Sequence, residues 1–151
     1  MKKHSFTMSL GEPEELMRLT PGELTKFLER RQGEMIRSRE PFTDYMRMKF
    51  CDKDILQQQV FLAADIPERY GYKLIAGEKH TVRRDTILCL CLAARFTLEE
   101  TQEALILYGM APLYWRIPRD AAFIVAFSNR IWDVDEMDEL LMDNGLAPIP
   151  L

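Results

Sequence analysis

The sequence is poor in the residues that make reactive or metal-binding sites. It has two histidines, His4 and His80, and three cysteines, Cys51, Cys89 and Cys91. An odd number of cysteines without paired spacing argues against a disulfide framework and for a reducing compartment. Cys89 and Cys91 flank one leucine inside an apolar run, so they read as buried thiols and not as zinc ligands. Neither histidine lies in a catalytic pattern, and no glycine-rich phosphate loop is present. No run approaches the ~20 apolar residues of a membrane span. The opening, "MKKHSFTMSLGEPEEL", begins with two lysines but has no signal-peptide apolar stretch. These absences lead us to expect a cytoplasmic protein that is not an enzyme, with no metal, cofactor or membrane partner.

Strict apolar–polar alternation is also scarce, which leaves helix as the dominant element. At 151 residues, 47% hydrophobic and 29% charged, the chain has enough material for one well-formed core. Helix signals recur along it. Thr20, Pro21 and Glu23 form a capping box, with Leu24, Phe27 and Leu28 as the apolar stripe behind it. Phe42, Tyr45, Met46 and Phe50 follow Pro41 as a second stripe. Asp54 with Gln57 reads as another box, before Ile55, Val60, Phe61 and Ala64. Pro67 and Gly77 bracket the next helix. Thr97 with Glu100, and Asp133 with Glu136, start two more, closed by Gly109 and Gly145. Seven to nine short helices are expected.

The C-terminal half repeats. "RDTILCLCLAARF-TLEETQEALILYGMAPL" (84–113) aligns with "RDAAFIVAFSNRIWDVDEMDELLMDNGLAPI" (119–149). Arg84-Asp85 matches Arg119-Asp120, Gly109 matches Gly145, and Ala111-Pro112 matches Ala147-Pro148. Each unit reads as an αα-hairpin, and two stacked copies would share one core. Asp85 and Asp120 read as N-caps of their hairpins. The acidic run from Asp133 is not a calcium loop, because its sixth position is Asp138 and its twelfth Asn144, where an EF-hand needs Gly and Glu.

Charge is uneven. Residues 66–95 carry six Lys/Arg and three Asp/Glu, whereas residues 96–151 carry three and ten. The basic stretch coincides with a helix-turn-helix pattern. With Gln57 as its first position, Val60, Ile66 and Leu74 supply the expected apolar fourth, tenth and eighteenth positions. Phe61, Asp65 and Gly71 depart from it. A large residue at the fifth position and a glycine at the facing fifteenth compensate in volume, so Phe61 is expected to pack over Gly71. Asp65 replaces the turn glycine, and aspartate tolerates left-handed geometry.

These residues, "IPERYGYKLIAGEK" and "RRDTILCLCLAARFTLEETQEAL", resemble the Xre/Cro-type helix-turn-helix regulators. "GMAPLYWRIPRD" and "DEMDELLMDNGLAPI" extend the likeness to a bacterial, largely Firmicute-type set. The resemblance spans roughly residues 40 to 150. It departs at Glu78, where the family tends to have lysine, and at Val82, where it has proline. It implies an all-α, lambda-repressor-like helix-turn-helix domain (41–113), to which the residue patterns themselves add an αα-hairpin repeat (114–151) and an N-terminal helical segment (1–40). It also implies sequence-specific binding of double-stranded DNA by a homodimeric transcriptional regulator. Arg69 would then read guanine and Glu68 cytosine, with Tyr72 on the same exposed face. Gln57, Gln58, Lys73, Lys79, Arg83 and Arg84 would contact or position phosphates. Tyr70 is expected to pack inward. The other reading is a helical interaction module that has lost DNA readout and uses the acidic C-terminal repeat as its partner surface.

Overall fold

Local signals set where each helix starts and stops, and the computed structural model shows how the pieces meet. It describes residues 14–36 and 39–150. Among them are nine α-helices and no strand. They are α1 (Glu14–Arg18), α2 (Leu24–Arg30), α3 (Pro41–Asp52), α4 (Gln57–Ala64), α5 (Glu68–Ala76), α6 (Arg84–Ala93), α7 (Leu98–Tyr108), α8 (Pro118–Ser128) and α9 (Val134–Asp143). The fold is all-α.

The capping signals act largely as expected. The Thr20 amide donates to Glu23 Oε1 at 2.8 Å, and a 3-10 turn, Pro21–Glu23, leads into α2. At α7 the box is complete: Glu100 N donates to Thr97 Oγ1 and Thr97 N donates to Glu100 Oε1. Asp133 accepts from the amides of Asp135 and Glu136 and caps α9. Asp54 does not cap α4. It sits in left-handed geometry, φ 54°, closing α3 instead. Half of a box lies two residues later, where Gln59 Oε1 accepts from Leu56 N and the leucine side chain can return nothing. The α2 stripe is also only partly buried. Phe27 is buried, but Leu24 and Leu28 are exposed. The guanidinium groups of Arg30 and Arg31 cover the Phe27 ring, at 5.6 and 5.5 Å from its centre, in place of the leucines. Glu15 holds both arginines.

The main core runs from Phe42 to Ile149 and is continuous across both repeats. Helix α3 packs on α5 and α7, and α4 packs on α6. The hairpins α6–α7 and α8–α9 cross: α6 meets α9 and α7 meets α8. That exchange is the mark of a pseudo-two-fold relation, in which element i touches j′ while j touches i′. The polar contacts obey it too. Arg84 pairs with Asp120 and Arg119 with Asp85. Arg84 also donates to the carbonyl of Ala111, and Arg119 to that of Ala147. Gln102 accepts from Leu113 N, and its counterpart Asp138 accepts from Ile149 N. Asp85 and Asp120 are therefore not N-caps. Those positions belong to Arg83 and Ile117, two and three residues earlier, and the carboxylates instead reach across to the other repeat.

One ion cluster ties α3 to the start of α7. Glu100 takes Lys53 Nζ at 2.8 Å and Lys49 Nζ at 3.0 Å. Burial alone would raise its carboxyl pKa, but Lys53, the Thr97 amide and Lys49 outweigh burial and hold it below the ordinary glutamate range. A depressed carboxyl stabilises the fold above its unfolded pKa, and this contribution drains away as pH falls through the folded value. Glu100→Gln should therefore lower the urea midpoint at neutral pH. The gap to the parent chain should close as pH falls below about 4. Denaturation curves across that range check this.

Candidate nucleic-acid interface and the groove beside it

The α4–α5 pair is built around one contact. A β-carbon on Gly71 would stand 2.5 Å from Cδ1 of Phe61, so the buried ring lies directly on the glycine. The volume exchange expected between these positions is present. Asp65, φ 57°, makes the left-handed turn, with Ile66 and Pro67 completing the link to α5. Leu74 and Ile75 bury the inner face of α5. Thr43 Oγ1 donates to Ile75 O at 2.6 Å and pins the end of α5 to α3.

With the inner face fixed this way, helical spacing puts Arg69, Tyr72 and Lys73 together on the outer face. Arg69 is exposed, Lys73 is half-buried and Tyr72 is 41% exposed. The Tyr72 ring stands edge-on to Phe61, with centres 5.0 Å apart, so the side chain that fills the Gly71 notch also supports Tyr72. Gln58 reaches Glu68 at 3.4 Å and closes the start of this face, while Gln57 is half-buried behind it.

The remaining sequence candidates separate from that face. Lys79 is exposed in the turn after α5, its amide bonded to Lys73 O. Arg83 borders a groove on the other flank of α5. Arg84 is spent on Asp120 and on two backbone carbonyls, so its donors serve the fold. The loop between α5 and α6 is tied to α7 by Tyr108, whose hydroxyl accepts from Thr81 N at 2.8 Å and meets His80 Nδ1 at 3.0 Å. Burial pushes the Tyr108 phenol up and keeps it protonated.

The groove, about 850 Å³, lies between the α4–α5 turn, the α5–α6 loop and the start of α9. Tyr70 is half-buried along it, on the inward flank of α5. Cys89 forms part of its wall, and burial pushes that thiol up to about 12, so it stays protonated at neutral pH. Sequence reasoning missed the groove, because its walls come from four separated stretches. The aspartate that caps α9 was legible; its place on the same groove as Asp65 was not. Among the described residues no His/Cys/Asp/Glu cluster has metal-binding geometry, and no helix is long and apolar enough to cross a membrane.

Four substitutions test the scaffold. Gly71→Ala should cost about 1–3 kcal/mol through overpacking, and combining it with Phe61→Val should recover part of that cost in a double-mutant cycle. Asp120→Ala should be worse, about 3 kcal/mol or more, because the Asp120 side chain is 1% exposed and its loss strands Arg84 and the Tyr114 amide. Asp85→Ala, at a 20% exposed carboxylate, should cost distinctly less. Urea denaturation gives both orderings. No family model, no curated protein and no solved structure matches this chain.

Proposed function

We propose that the chain is a DNA-binding transcriptional regulator of the Xre type, reading duplex DNA with the outer face of α5. The observation that carries this reading is the grouping of Arg69, Tyr72 and Lys73 on one exposed face of a helix braced from behind by Phe61 and Thr43. A three-residue turn before such a helix is the spacing of helix-turn-helix motifs. In this reading Arg69 supplies a guanidinium fork for guanine, and Glu68 accepts from cytosine. Lys73 and Lys79 face phosphates, and Gln58 positions the start of the helix. A homodimer would present two such helices to half-sites about one DNA turn apart.

Two phosphate-facing cations, Lys73 and Lys79, imply that log affinity falls against log salt with a slope of about −2. Titrating the protein with duplex DNA at several salt concentrations measures it. Lys73→Ala should flatten the slope by about one unit, while Arg69→Ala should relax base preference at one position of a selected site. Absence of binding at low salt, with both variants indistinguishable from the parent, would refute the proposal and leave an interaction module without DNA readout.

A further inference from the structure

The groove beside α5 has apolar walls and an acidic rim, and the two together define an occupant. Ile66, Val134, Trp132 and Ile149 line it. Leu62 and Val82 stand at its edge, 83% and 95% exposed. Single exposed aliphatic residues are common on protein surfaces, but here two of them extend one groove outward. A small molecule seated inside would leave both in water. A helix laid along the groove would cover them. Around the apolar walls stand five aspartates, Asp65, Asp85, Asp133, Asp135 and Asp138, against a single arginine, Arg83. Arg119 neutralises only Asp85. Asp65 and Asp135 are exposed and make no ion pair among the described residues. A rim of this sign repels nucleic acid and acidic peptides and favours lysine and arginine.

We propose that this groove docks a cationic amphipathic helix of a partner protein. Aliphatic side chains of that helix enter between Leu62, Val82 and Val134, while its basic residues lie against Asp65, Asp133 and Asp135. The helix is recognised by shape on one face and by charge on its flanks. This does not depend on α5 reading DNA, since none of the groove's apolar or acidic residues lies on the outer face of α5.

The test is calorimetric titration of the full chain with a synthetic amphipathic helix of leucine and lysine, alongside a leucine–glutamate helix of the same pattern. The lysine peptide should bind in a one-to-one complex and the glutamate peptide should not. Leu62→Ser with Val82→Ser should weaken binding about tenfold or more, the effect of failing to bury two aliphatic side chains. Asp65→Asn with Asp135→Asn should weaken it several-fold at low salt and reduce its salt dependence. All four positions are exposed, and asparagine keeps the left-handed turn at residue 65, so the variants should fold, as circular dichroism will verify. Arg69→Ala should bind the peptide normally. Failure of the lysine peptide to bind, equal binding by the glutamate peptide, or undiminished binding by either groove variant would overturn the proposal. So would a small hydrophobic cation, tetrabutylammonium, displacing the peptide at comparable concentration, because the site would then be a small-molecule cavity.

Discussion

Two crossed ion pairs hold this molecule in its shape. Arg84 with Asp120 and Arg119 with Asp85 join the repeats, and each arginine also gathers carbonyls at the end of its own hairpin. Each guanidinium therefore ties three things: its helix, the exit segment of its hairpin and the opposite repeat. A buried carboxylate such as Asp120 is tolerable only because Arg84 and the Tyr114 amide both satisfy it. Neither hairpin can complete its polar network alone. The two repeats depend on each other for charge as well as for apolar surface, which favours a single cooperative unit.

The same arrangement explains what the sequence could and could not disclose. Helix ends at Thr97, Asp133, Gly77 and Gly109 were readable because a cap is a local interaction, complete within a few residues. The Phe61–Gly71 contact was readable because two deviations from one motif compensated. The "RD" pairs misled because aspartate near a helix start has an ordinary local explanation. Only the pseudo-two-fold relation, which exists between helices and not along the chain, gives those carboxylates their actual partners. At Leu24 and Leu28 the spacing was amphipathic, but the arginines of the same segment covered Phe27 first. The outer face of α5 could be listed residue by residue from spacing. The groove could not, because Leu62, Val82, Asp135 and Ile149 meet only after folding.

The fold also sorts charge that the sequence had only segregated. Lys73 and Arg69 lie on one side of α5, and the aspartates of the groove lie past its opposite flank. One short helix thus separates a cationic surface from an anionic one. The field between them points across α5 and should orient approaching polyelectrolytes before contact. Phe61 underlies this division, since it sets how closely α4 and α5 approach and supports Tyr72 as well.

Every helix from α3 to α9 is followed, within two residues of its end, by a left-handed residue. Three of the seven are glycines: Gly77, Gly109 and Gly145. The others are Asp54, Asp65, Arg95 and Arg130, and the last two occupy the same place in the two repeats. An L-residue held there costs about 1–2 kcal/mol relative to a relaxed backbone. The chain thus carries the same conformational debt twice in its repeats and twice more around α4. Natural sequences commonly retain such unclaimed stability. In this protein it is concentrated at the corners where one helix hands the chain to the next.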